Sequence, residues 1–127
     1  MVTGSCLCGA VAYEVTGALQ PGIVCHCIEC RKQSGHAAAA SAVERSTLTM
    51  TRKDGLTWYK ASDYASRGFC RVCGSTLFWQ RDESPLTHVL LGAVDGASGA
   101  HIAQHFWVSE KGDNYEIADG LPQIEED

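Results

Sequence analysis

Seven cysteines stand in three groups: Cys6 and Cys8 as C-x-C, Cys25, Cys27 and Cys30 as C-x-C-x-x-C, and Cys70 and Cys73 as C-x-x-C. A thiol becomes a strong ligand for a soft metal once it ionises, and short spacings of this kind form turns that aim several sulfurs at one point. The count is odd, so disulfides within one chain cannot consume all of them. Metal binding is the leading chemistry. GSCLCGA carries a glycine on either side of its pair and FCRVCGS has Gly74 directly after Cys73, so both read as tight knuckles. Pairing Cys6 and Cys8 with Cys70 and Cys73 gives a tetrahedral four-thiolate set and closes a loop of about sixty residues. Buried free cysteines and a redox-active Cys70–Cys73 pair are the other readings. The second lacks the following helix that a thioredoxin-like site requires.

That allocation leaves Cys25, Cys27 and Cys30. In an extended C-x-C the two cysteines share a face while His26 points away, and Cys30, one turn later, can curl back to them. Three protein ligands and one exchangeable position make the pattern of catalytic zinc. A histidine folding back from His36, His88, His101 or His105 would instead close a structural Cys₃His site. His105, in QHFWV, alternates with aromatic neighbours and reads as a core or supporting histidine. Three thiolates leave such a zinc unit with net negative charge, which suits exchange of a sulfur ligand better than activation of water. Arg31 and Lys32 directly follow Cys30. They could offset that charge and meet a carboxylate on an incoming thiol; simple solvation is the other reading.

The elements that must hold these groups are mostly strands. GAVAYEV alternates, with Val11, Tyr13 and Val15 on one face. IVCHC, STLTMT, LTWYK, DYASRGF, STLFWQ, THVLLGAV and AQHFWV are further strand candidates, separated by Gly, Asp, Pro or Ser. HAAAASAV reads as a strand in this company, although alanine by itself favours helix. IECRKQ has room for one helical turn. The expectation is one mainly-β domain over residues 1–127, with an irregular tail over about 112–127 that packs through Tyr115, Ile117 and Leu121.

With 15 acidic against 10 basic residues the formal charge is −5. That balance argues against nucleic acid as a partner. No apolar run is long enough to span a bilayer, and the N-terminus lacks the features of a secretory signal. A cytoplasmic protein is expected.

The order of motifs, GSCLCGAV, then CHCIECRKQSG, then SRGFCRVCGSTLFW, resembles the glutathione-dependent formaldehyde-activating enzyme (GFA) family, and the resemblance runs from about residue 3 to the HFWV and EIADGLPQ segments. The resemblance implies an Mss4-like fold, in which folded antiparallel sheets carry zinc-ribbon-like knuckles. It implies two Zn²⁺ per chain, a structural one on Cys6, Cys8, Cys70 and Cys73 and a second on Cys25, Cys27 and Cys30. The implied activity condenses glutathione with formaldehyde to S-hydroxymethylglutathione, whose reverse is a carbon–sulfur lyase reaction. A small-molecule thiol is then the partner, and a homodimer is possible. The fold also hosts methionine sulfoxide reductases, but this chain has no nucleophilic cysteine after Cys73. The alternative is a non-catalytic zinc-binding module that binds a thiol or a protein partner.

Overall fold

The computed structural model describes residues 1–127. In chain order its strands are β1 (Val2–Ser5), β2 (Ala12–Val15), β3 (Gly22–Cys25), β4 (Ala38–Glu44), β5 (Leu48–Arg52), β6 (Leu56–Lys60), β7 (Ala65–Cys70), β8 (Thr76–Arg81), β9 (Leu86–Leu90), β10 (Val94–Asp95) and β11 (Ile102–Phe106). One helix, α1 (Ile28–Ser34), lies between β3 and β4. A four-stranded sheet has the order β10-β1-β2-β5, and a seven-stranded sheet has the order β11-β3-β4-β9-β8-β7-β6. The mainly-β class is as expected from the strand patterns. Pairing is antiparallel except that β11 runs parallel to β3. β11 reaches that edge from β10 in the other sheet, so no hairpin forces it to oppose β3.

The two sheets share one core. Val11, Tyr13 and Val15 meet Val43, Leu77, Phe78 and Val89, and Cys6 and Cys70 belong to the same buried cluster. The Tyr13 and Phe78 rings are tilted at 59° with centroids 5.2 Å apart, a geometry worth about 0.5–1.5 kcal/mol beyond area burial. Gly4 faces Tyr13 across β1 and β2. A Cβ at Gly4 would collide with the Tyr13 ring, so the glycine lets that ring lie across β1.

Alternation gives the large sheet two unlike faces. Ser41, Val89, Phe78 and Gly68 form a row across β4, β9, β8 and β7 on the core side. The next row, Ala42, His88, Trp79 and Arg67, faces outward. Ala38 and Ala40 share the outer face with Ala42, and Cys25 on β3 is the direct partner of Ala38. α1 packs over β4. All three alanines are buried, and side chains this small let a helix sit close to the strand. Local alanine propensity favours helix here, but the central position of β4, covered on both faces, overrides it.

Three stretches differ from their sequence reading. THVLLGAV is not one strand: β9 ends at Leu90, Leu91–Ala93 form a 3-10 turn, and β10 crosses to pair with β1. AQHFWV stops at Phe106 because Trp107 takes a left-handed φ of 57° and turns the chain into a 3-10 segment at Val108–Glu110. IECRKQ extends into the seven-residue α1, which ends at Gly35, whose φ is 88° and whose N–H donates to the Arg31 carbonyl. The tail has no regular element, yet it is docked. His105 N–H donates to the Pro122 carbonyl and Ile124 N–H to the His105 carbonyl, both at 2.9 Å, so residues 122–124 follow the outer edge of β11. No helix is long and apolar enough to cross a membrane.

Candidate metal centres

The C-x-C after β1 and the C-x-x-C at the end of β7 come together, with all four Sγ atoms within 4.8 Å of one another. Cys6 and Cys8 Sγ are 3.7 Å apart and Cys8 and Cys70 Sγ 3.8 Å. A tetrahedron with metal–sulfur bonds of about 2.3 Å has edges of about 3.8 Å, so the set fits a zinc-sized ion in size as well as in donor type. The knuckles are shaped locally. Gly9 N–H donates to the Cys6 carbonyl at 3.2 Å and Gly74 N–H to the Cys70 carbonyl at 2.7 Å. Both glycines have positive φ, 84° and 79°. Ser75 links the two knuckles: its hydroxyl accepts from Leu7 N–H at 2.9 Å and donates to Cys73 Sγ at 3.2 Å. That hydroxyl, followed by a backbone hydrogen bond at Ser75, pulls the Cys73 thiol down to about 5.

The second cluster is built from the end of β3 and the start of α1. Cys25, Cys27 and Cys30 Sγ all lie within 4.8 Å of one another, and no histidine, aspartate or glutamate adds a fourth donor within that span. Cys27 is the N-cap of α1, its sulfur accepting from Cys30 N–H at 3.4 Å. A thiol thus takes the place of the serine or aspartate that usually caps a helix. Packed this closely, the sulfurs share charge unequally. Hydrogen bonds from Cys25 and Cys30, together with the Arg67 charge, hold Cys27 down at about 2. Cys25, which donates to Cys27 and Cys30, is pushed up. Against a lowering hydrogen bond from Cys25, Cys30 is pushed up as well, by Cys27 and by burial. Without a cation the negative charge therefore gathers on Cys27, and full ionisation of the three sulfurs needs a metal to offset it.

The cation beside these sulfurs is Arg67. Its side chain is 8% exposed, and Nη2 lies 3.6 Å from Cys30 Sγ and 3.3 Å from Glu29 Oε1. Nη1 lies 3.4 Å from Gln33 Oε1, and Nε is buried without a partner. Arg31 instead donates through Nη1 to the Glu110 carbonyl at 2.9 Å, and Lys32 is exposed on α1. Glu110 Oε1 also accepts from Ile28 N–H at 2.9 Å, so this one residue braces the start of the helix twice. Arg67 is thirty-seven positions from Cys30. Only the strand order of the large sheet brings it to the cluster, and no local spacing announces it.

His26 points to the opposite side, as an extended C-x-C requires, and is buried. Its Nδ1 is 2.5 Å from the Tyr115 hydroxyl and its Nε2 is 2.9 Å from His105 Nδ1. His105 Nε2 in turn is 2.8 Å from Asp119 Oδ2. His105 is therefore buried, as its aromatic neighbours implied, and adds no ligand to the three sulfurs. Burial first, then the neighbouring His105 and His36, lowers the His26 pKa. His88, on the outer face, meets Trp79 edge-on at 5.2 Å, and its Nδ1 is buried without a partner.

The comparisons with known proteins agree with this geometry. The family described as "Glutathione-dependent formaldehyde-activating enzyme" matches residues 1–110, which include all seven cysteines, Arg67 and Glu110. No curated protein sequence matches the chain. A crystal structure of a Rhodobacter sphaeroides protein is similar, with a TM-score of 0.63 and 29% identity over 76% of this chain and 91% of that one. Tyr115 and Asp119 lie beyond the span that the family matches. With both cysteine clusters inside it, the chain belongs to the glutathione-dependent formaldehyde-activating enzyme family, whose fold is Mss4-like.

Proposed function

We propose that this protein is a zinc-dependent carbon–sulfur lyase that makes or breaks the bond between a thiol, such as glutathione, and an aldehyde carbon, as in S-hydroxymethylglutathione. In the synthetic direction a carbon–sulfur bond forms, the carbon–oxygen π bond is spent, and the proton of the thiol ends on that oxygen. The lyase direction reverses this. The observation that carries the reading is the cluster of three sulfurs with no fourth protein donor. Family membership supports it.

On this reading Cys6, Cys8, Cys70 and Cys73 hold a structural zinc, and Cys25, Cys27 and Cys30 hold a second zinc. A zinc ion at the second centre supplies an open position where a substrate thiol ionises at neutral pH. The surrounding residues do the rest. Arg67 offsets the negative charge of the sulfurs and fixes Cys30 by a hydrogen bond. The alanine floor of β4 lets α1 lie close above it, so that Cys30 is held away from water. Lys32, exposed on α1, is the free cation for a substrate carboxylate, whereas Arg31 is engaged by Glu110. Seven cysteines, none in a disulfide, suit a reducing cytoplasm.

One observation favours the alternative, a non-catalytic module that binds a thiol or a partner. Clefts of about 500 and 570 Å³ open beside Ser5, Leu7 and Asp95 and beside Val24, His36 and Tyr115, and none of the three cysteines lines either. The deciding experiment mixes glutathione and formaldehyde with the zinc-loaded protein and follows S-hydroxymethylglutathione. Acceleration over the uncatalysed addition, abolished in Cys27→Ser, is expected. A rate equal to the uncatalysed one leaves the non-catalytic module.

A further inference from the structure

We infer that Asp119, His105 and Tyr115 are positioning residues for the Cys25–Cys27–Cys30 centre, acting through His26 as a strap drawn from the C-terminal segment. This rests on the reading of that centre as a metal site.

The direction of the hydrogen bonds is fixed from one end. A carboxylate accepts only, so His105 Nε2 donates to Asp119 Oδ2. With both imidazoles neutral, His105 Nδ1 is the acceptor, and His26 Nε2 donates to it. His26 Nδ1 accepts in turn from the Tyr115 hydroxyl. With both rings neutral, one arrangement of protons satisfies all three bonds, each imidazole in a single tautomer. Two further bonds hold the strap itself. Leu121 N–H donates to Asp119 Oδ1 at 3.0 Å, and Lys111 Nζ donates to the Tyr115 carbonyl at 2.6 Å.

His26 sits between two of the three sulfur donors. Its backbone N–H is tied to the Phe106 carbonyl at 3.0 Å. Its ring is the other handle on this turn, through the bonds to Tyr115 and His105. The ring is 2% exposed and packs against His105 and Tyr115, with centroids 5.1 and 5.6 Å away. The same two residues thus hold it by contact and, through their hydrogen bonds, set its orientation. Outer partners of metal ligands commonly change metal affinity by about 10–100-fold. The strap works one step further back, through the peptide that joins two ligands.

The test uses full-length protein loaded with zinc, titrated with a chromogenic chelator, and then reloaded with cobalt(II) to read the thiolate-to-metal charge-transfer bands. Asp119→Ala and Tyr115→Phe should release the metal of the three-thiol centre about tenfold more readily and shift its cobalt bands. The four-thiol centre should stay unchanged as an internal control. Asp119→Asn keeps an acceptor for His105 Nε2 and should restore both readouts. If neither Asp119→Ala nor Tyr115→Phe alters affinity or spectrum while the parent holds two metals, the inference fails and the metal reading stands. A parent that holds metal only at the four-thiol centre overturns both. Equal loosening of both centres, not restored by Asp119→Asn, marks a general loss of fold and also overturns the strap.

Discussion

Arg67 Nη2 approaches the Cys30 sulfur to 3.6 Å from the opposite half of the seven-stranded sheet, and it is the only cation whose contact with that sulfur is matched by near-complete burial. Arg67→Met keeps most of the aliphatic volume and removes the charge and its donors. The second centre should then hold zinc about 10–100-fold more weakly, and stability should fall by about 1.5–3 kcal/mol, the range for hydrogen bonds to charged groups. Arg67→Lys should recover only part, because a single ammonium cannot serve Cys30, Glu29 and Gln33 together. Chelator competition reads the affinity, and urea unfolding reads the stability.

The two centres should separate by mutation. On the proposed two-zinc reading, Cys27→Ser should lose one of the two metals and stay folded, because Cys27 caps a short helix. Cys70→Ser should lose zinc and cooperative unfolding together, because Cys70 is part of the buried cluster between the sheets. Metal analysis paired with thermal unfolding decides it. Equal unfolding of both variants would remove the division of labour.

Gly55 packs directly against the four-thiol centre. A Cβ there would stand 2.8 Å from Cys70 Sγ and 2.9 Å from Ala10 Cβ, and neither neighbour is a flexible chain end. Gly55→Ala should cost about 1–3 kcal/mol by overpacking and lower the midpoint of unfolding. Gly92→Ala, where nothing lies within 4 Å, is the matched control and should be close to neutral.

His88 predicts a pH dependence. Burial lowers its pKa in the folded protein, so the unfolded chain takes up a proton first as pH falls through about 6.5. The unfolded state then binds more protons, and this contribution to stability, complete above the unfolded pKa, is lost as pH falls towards 5. His88→Phe removes the titrating group and the unpartnered Nδ1 while keeping a ring beside Trp79. It should flatten the decline in the urea midpoint between about pH 7 and 5 relative to the parent. An unchanged slope would show that His88 does not contribute.

The cysteine clusters were legible in the sequence because knuckle geometry is local: two to five residues determine where Cys25, Cys27 and Cys30 point. Strands such as LTWYK were legible for the same reason, through alternation and flanking turn residues. Arg67 and Asp119 were not. Their roles depend on which strands become neighbours and on where the tail returns, and neither leaves a trace in local spacing. The break in THVLLGAV was hidden as well. Apolar residues continue through it, while the chain changes sheets at Leu91–Ala93.

The tail along β11 also changes one border of the large sheet. Free N–H and C=O groups on an edge strand are a template for another chain, and residues 122–124 seal that border from within. The opposite border of the large sheet is β6, with Trp58 and Tyr59 exposed. Residues 122–124 therefore act as a guard on one border: with the tail in place, backbone pairing with another chain is open at β6 and hindered beside His105 on β11.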